Sequence, residues 1–159
     1  MRDLGKQKGS DVNLREATIN DIEQLLALEQ RLIDAERPFD ASIKSGKVTY
    51  YDLTAMLSDA DTHVLVVELA QDIIATGFVQ IRQSKASFEH DQHAYLGLMF
   101  VSPEHRGQGI NQRIMDALIA WSDNRGIDVF YLEVYPQNES AIKAYEKAGF
   151  KPSLLEMKR

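Results

Sequence analysis

The chain has 159 residues, 44% hydrophobic and 26% charged, with a formal net charge of −6 and no cysteine. That is an ordinary globular composition, long enough to bury a core, and it excludes disulfides, thiolate metal centres and a cysteine nucleophile. The acidic balance, with a pI near 5.2, argues against a nucleic-acid partner, and the absence of a long apolar run or signal-peptide core argues against a membrane partner, so a cytoplasmic protein is expected.

Residues 1–11 are polar and read as a flexible N-terminal segment ahead of a single domain over residues 12–159. A first strand is expected over Val12–Ala17. Asn20 with Glu23 reads as a capping pair for a helix carrying Ile22, Leu25, Leu26, Leu28, Leu32 and Ile33 on one stripe and ending before Pro38. Glu36 to Lys47 lacks an apolar period and reads as a connection. Thr49 with Asp52 reads as a second capping pair, opening a short helix through Leu53, Met56 and Leu57. Strands over His63–Leu69 and Ile73–Arg82 then form a hairpin around Ala70–Asp72, and Ser84–Gln92 is a polar loop. Ala94–Val101 is apolar on both faces, the pattern of a strand inside a covered sheet. His63, His90, His93 and His105 show no metal-ligand spacing, so no metal is expected.

The most informative stretch follows that strand: Val101-Ser-Pro-Glu-His-Arg-Gly-Gln-Gly-Ile-Asn111. A turn carrying Gly107 and Gly109 leads into a helix whose apolar face holds Ile110, Ile114, Ala117, Leu118 and Trp121. A helix start leaves its first amides without partners, glycines let a phosphate approach them, and the dipole and Arg106 add positive potential. Pro and Gly also mark ordinary tight turns, so this stretch alone does not decide between the two. Downstream, Asp128–Tyr135 alternates like a strand, Pro136 ends it, Asn138 caps a helix with Glu139 at its positive end, and Gly149-Phe150 resembles a glycine helix stop. A last strand is expected from Phe150 to about Met157.

This order of strand, glycine-turn helix, strand, and helix carrying Tyr145 before a Gly-Phe pair resembles the GNAT superfamily of acetyl-CoA-dependent N-acetyltransferases. The resemblance is specific from about Ala94 to Phe150. It implies a mixed α/β fold, with a central, mostly antiparallel sheet flanked by helices and with strands splayed at the acetyl-CoA site. Arg106, Gly109 and Asn111 occupy the places of the family's turn, Asn111 standing where the family has Gly or Ala. The resemblance further implies that the backbone of Arg106, Gly107, Gln108, Gly109, Ile110 and Asn111 holds the pyrophosphate of acetyl-CoA. Met99, Phe100 and Val101 would pair through their main chain with pantetheine, and the helix start at Asn138, Ala141 and Tyr145 would reach the same arm. Gly97 is expected to relieve packing or to allow a bulge near the thioester.

The family commonly places a thiolate-protonating tyrosine at Tyr145; periodicity by itself makes that side chain core packing. No carboxylate occurs in Leu96–Phe100, where many members carry their base. Glu133, twelve residues before Tyr145, is the substitute, with a structural carboxylate as the equal alternative reading. Glu29, Glu36, Asp40, Tyr50 and Tyr51 are candidates to line a site for a cationic amine. The expected activity is direct acetyl transfer to a primary amine of a small molecule or peptide. A noncatalytic acyl-CoA-binding module is the alternative, and an exposed sheet edge or apolar strand could support a homodimer. A nucleotide-binding loop is disfavoured because no Lys-Ser/Thr pair follows the glycines.

Overall fold

The computed structural model describes residues 12–159; the segment expected to be flexible, 1–11, lies outside them. Five strands form one sheet in sequence order: β1 (Val12–Glu16), β2 (Thr62–Leu69), β3 (Asp72–Gln83), β4 (Gln92–Val101) and β5 (Phe130–Tyr131). The first four are antiparallel neighbours, and β5 runs parallel to β4. The helices are α1 (Ile22–Glu36), α2 (Leu53–Leu57), α3 (Ile110–Asp123) and α4 (Glu139–Lys147). None is long and apolar enough to cross a membrane.

Alternation along the central strands sends side chains to two cores. Leu65, Val67, Ala75, Val79, Ala94 and Leu96 pack against Ile114, Met115 and Leu118 of α3, with Tyr145 of α4 and its C-cap Ala148 at the margin. Val64, Val66 and Phe78 face Leu25 and Leu28 of α1 and Leu53 and Met56 of α2. In β4 the alternation breaks. Ala94 and Leu96 belong to the α3 side, whereas Leu98 and Phe100 belong to the α1 side. The cause is a bulge: Thr76 pairs with Phe100 and Phe78 with Gly97, so Gly77 alone opposes Leu98 and Met99. An extra residue shifts the side-chain parity of everything beyond it.

Leu98 takes the left-handed backbone at the bulge, with φ of 53°, which costs a non-glycine residue roughly 1–2 kcal/mol. Gly97 is therefore needed for room rather than for its φ. A Cβ there would lie 2.5 Å from Phe78 Cζ and 2.9 Å from the Tyr51 hydroxyl.

The local signals hold with identifiable shifts. The α1 entry is capped two residues earlier than expected: Thr18 and Asp21 form the capping box around a 3-10 turn over Ile19–Asp21, not Asn20 with Glu23. The Asp21 carboxylate is fixed there because Arg15 Nη1 and Nη2 each donate to it at 2.8 Å. The α2 cap is Asp52, accepting from the Ala55 amide at 3.1 Å, in place of Thr49. Glu36, expected in the connection, is the last residue of α1, and a 3-10 turn over Arg37–Phe39 follows. The β2–β3 turn uses Ala70 and Gln71 at φ of 49° and 71°, the twist that suits a two-residue hairpin.

Two expected strands are corrected. Asp128–Tyr135 pairs only at Phe130 and Tyr131, because β4 bulges away beyond that point. No strand forms over Phe150–Met157. Residues 151–159 have no backbone hydrogen bond among the described residues, Pro152 lacks a donor, and Leu154, Leu155 and Met157 stay exposed.

Two outcomes follow for stability. Arg15 holds the Asp21 carboxyl below its ordinary value of 3.8, so this pair stabilises the fold above that pH and ceases to do so as pH falls through the lowered value. Asp21→Asn is expected to cost about 1–3 kcal/mol at neutral pH, and urea titrations at falling pH should show the gap from wild type closing. Gly97→Ala is expected to lose about 1–3 kcal/mol by overpacking, read as a lower urea midpoint at unchanged slope.

Candidate functional site

The turn after β4 is built as the sequence suggests. Ser102 leads into a 3-10 turn over Pro103–His105, and Gly109 is the N-cap of α3. Gly107 and Gly109 have φ of 76° and 77°, with no atom within 4 Å of a Cβ placed on either. The amides from Gly107 to Gln112 meet no acceptor among the described residues; the next amide, of Arg113, donates to the Gly109 carbonyl at 3.1 Å. A continuous run of free N–H groups at the positive end of a 14-residue helix is an anion cradle. Ile110 is buried and anchors α3, and Asn111 is half-exposed at its rim. Gln108 is exposed.

Arg106 braces this turn. Its Nε donates to the Val101 carbonyl at 3.0 Å, and its guanidinium lies 5.6 Å from the Phe100 ring centre. Arg31, which the sequence reading did not single out, flanks the same ring at 5.4 Å and donates to Ser102 Oγ at 3.0 Å. Its signal was hidden because an arginine on α1 reads as a solvated helix face.

Upstream of the turn, β4 loses its partner on one side. The β4–β5 ladder contains only Ala94 with Phe130 and Tyr95 with Tyr131, while the β3 ladder continues to Val101. From Leu96 onward β4 therefore presents an open main-chain edge toward the side where β5 has ended. The side chains of Phe100 and Val101 are buried and Met99 packs against Gly77 and Ile114, so these residues offer their backbone rather than their side chains. Pairing across such an edge is the way an extended ligand adds to a sheet.

The two expected acid–base residues flank this opening. Glu133 is exposed on the extended segment after β5, and its carboxylate lies near enough to Tyr51 and Tyr95 to help raise both hydroxyls. Tyr145 sits on the inner face of α4, its ring 6.1 Å from Phe150, and burial is the main cause that pushes its hydroxyl up to about 12. Glu36 and Tyr95 add to that shift. Tyr95 thus enters both: Glu133 helps raise its hydroxyl, and it helps raise that of Tyr145. Sequence reading missed it because an aromatic residue in a central strand reads as core; its ring carries Arg82 at 3.9 Å and sits 6.3 Å from Phe78.

Asn138 caps α4, with Oδ1 accepting from the Ala141 amide at 3.4 Å. Of the candidates for the amine side, Glu29 is fully buried and does not line a surface. Glu36 is half-buried, its carboxyl raised by burial and then by Asp40. Asp40 is engaged: it accepts from the Tyr135 hydroxyl at 2.8 Å and from Lys158 Nζ at 3.3 Å. Tyr50 and Tyr51 stand edge to face with ring centres 6.1 Å apart. No cluster of three or more His, Cys, Asp or Glu side chains with metal-binding geometry occurs among the described residues.

Comparison with known proteins gives a consistent outcome. The model of the acetyltransferase (GNAT) family matches residues 21–150. An N-alpha-acetyltransferase of Saccharolobus solfataricus is 26% identical over 92% of this chain and 84% of its own length. An uncharacterized N-acetyltransferase of Bacillus subtilis, YobR, is 34% identical, but the match covers only 39% of this chain and 25% of that protein. Among solved structures, a predicted acetyltransferase from Clostridium acetobutylicum with acetyl-CoA superimposes with a TM-score of 0.74 at 21% identity, covering 92% of this chain and 96% of the other. The open β4 edge, the free amides at the start of α3 and the family match over residues 21–150 agree, and the chain belongs to the GNAT family of acetyltransferases.

Proposed function

We propose that this protein transfers the acetyl group of acetyl-CoA directly to a primary amine of a small molecule or peptide. The observation that carries the reading is the unbroken run of free amides from Gly107 to Gln112 beside an open strand edge. It fits a diphosphate at one end and an extended amide-bearing arm along the other. The backbone of Arg106 to Asn111 holds the diphosphate, and the main chain of Met99 to Val101 pairs with the pantetheine arm. Asn138 and Ala141, at the start of α4, border it. The bound co-substrate supplies an acyl group already activated as a thioester.

The protein supplies orientation and proton transfer. An amine must be neutral to form its new bond to the acyl carbon, and Glu133 accepts the proton that nitrogen gives up, directly or through water. When the carbon–sulfur bond breaks, Tyr145 gives its phenolic proton to the departing sulfur. Burial keeps that hydroxyl protonated across the physiological range, since it titrates at about 12. An exposed carboxylate suits an acceptor that is already partly neutral. A peptide α-amine, with an ordinary pKa of about 8, fits that requirement better than a lysine side chain at about 10.4. The similarity to an N-alpha-acetyltransferase over 92% of this chain and 84% of that protein supports the same choice.

The reading also includes a homodimer in which the exposed Leu154, Leu155 and Met157 are covered by a second copy. Light scattering on the full chain reads this directly, and a concentration-independent monomer rejects it.

CoA release measured over polyamines, amino acids, aminoglycosides and peptides with free amino termini tests the activity. Glu133→Gln and Tyr145→Phe are each expected to lower kcat by about 100-fold or more, with acetyl-CoA affinity retained. Tyr145→Phe is expected to lower turnover at every pH without shifting an alkaline limb below about pH 11. Turnover equal to wild type in these variants contradicts the assigned roles. Tight acetyl-CoA binding with no turnover of any amine identifies a noncatalytic acyl-CoA-binding module instead.

A further inference from the structure

Glu29 is a physical anomaly inside α1. It is 0% exposed, and only one of its two carboxylate oxygens is used. Oε2 accepts from the amides of Tyr50 at 3.3 Å and Tyr51 at 3.2 Å, while Oε1 is buried without a hydrogen-bond partner among the described residues. Burial is the main cause that raises its carboxyl above the ordinary range, and the two amides only partly oppose it. A buried, half-satisfied carboxyl group lowers stability relative to an apolar side chain. Its position therefore calls for a reason other than stability.

The reason lies in what those two amides carry. Glu29 and its neighbour Gln30 both grip the segment before α2, the Gln30 side-chain amide donating to the Val48 carbonyl. Three residues beyond that carbonyl, the Tyr51 ring packs edge to face on Phe78 at 4.9 Å. Its hydroxyl lies 2.9 Å from the point where a Cβ on Gly97 would stand, against the backbone at the start of the β4 bulge. Tyr95 packs on the same Phe78 ring, with ring centres 6.3 Å apart, so Tyr51 and Tyr95 share one support. The segment between α1 and α2 is irregular, so nothing in its own backbone ladder fixes this ring. Beside it a depression of about 460 Å³, bordered by Leu26, Thr49, Tyr50 and Leu53, leaves space on the outer side.

We propose that Glu29 is a positioning residue for acetyl transfer: through the amides of Tyr50 and Tyr51 it sets the Tyr51 hydroxyl against Gly97 at the β4 bulge, where the amine meets the acyl group. This rests on the acetyltransfer reading above. Tyr51 acts at the reacting end, Glu29 acts only through Tyr51, and the cradle at α3 is independent of both.

The test is a double-mutant cycle in the full chain, using the amine with the highest turnover in the CoA-release panel. Glu29→Met keeps the volume and removes the acceptor; Glu29→Gln keeps an oxygen for the two amides. Glu29→Met and Tyr51→Phe are each expected to lower kcat/KM for the amine about tenfold, and the double variant is expected to be no worse than about twofold below either single one, as coupled residues behave. The acetyl-CoA Kd is expected to stay within about twofold, and Glu29→Gln to restore most of the rate. Multiplying losses, a parallel loss of acetyl-CoA affinity, or wild-type kinetics in Tyr51→Phe overturns the proposal, and the last result does so even if Glu29→Met does not fold. A wild-type chain that turns over no amine rejects the acetyltransfer reading as well; wild-type turnover with unaffected variants rejects only the role of Glu29.

Discussion

One residue in the left-handed region, Leu98, organises the site. Its φ of 53° inserts an extra position into β4 opposite Gly77. Two consequences arise from that one insertion. The parity of β4 reverses, so Leu98 and Phe100 join the α1 core while Met99 and Val101 turn to the α3 side. The strand also diverges from β5 after Tyr95, which leaves its outer edge without a partner. An unpaired edge in the middle of a sheet is ordinarily an aggregation hazard; here it lies between buried faces and leads straight into the helix start that carries the free amides.

The two cores then assign separate tasks to the two sides of the sheet. The α3 side is built around Ile110, Ile114 and Leu118, which hold the helix start and its free N–H groups at the end of β4. The α1 side is built around Phe78, Leu25 and Leu28, and on it rests the aromatic segment at Tyr50 and Tyr51. Phe78 lies at the crossing point, touching Tyr51 and Tyr95 and filling the space that a side chain at Gly97 would need. A group at the bulge is thereby placed between two rigid walls. Orientation held by packing against rigid elements is what group transfer between two bound molecules demands.

Much of this was legible in the residues, for reasons that can be stated. The glycines at 107 and 109 take positive φ values that side chains disfavour, so their conformation was encoded locally. The stripes of α1 and α3 were visible because each faces one core. The α1 cap slipped by two residues, to Thr18, because a 3-10 turn and Arg15, which holds Asp21, decide it, while the α2 cap is Asp52 itself, accepting from the Ala55 amide. Of the two readings of Gly97, relief of packing and a bulge, both hold: Phe78 and Tyr51 fill the room it leaves, and the bulge follows it, with the positive φ at Leu98. The strand expected over Asp128–Tyr135 stops at Tyr131 because β4 bulges away beyond it; Tyr95 had no local signature, and Glu29 and Tyr51 were legible only as candidates to line a site, not as the buried carboxylate and the ring against Gly97. Their roles exist only once α1, β3 and β4 are brought together.

The main-chain amides that open α3 carry the proposed function, and the direct measurement is amide NMR of the full chain titrated with coenzyme A. The prediction is saturable shifts concentrated at Gly107 to Gln112 and along Leu96 to Val101, with the polar loop at Ser84–Asp91 unmoved. Saturation by coenzyme A that leaves the resonances of Gly107 to Gln112 unchanged contradicts it.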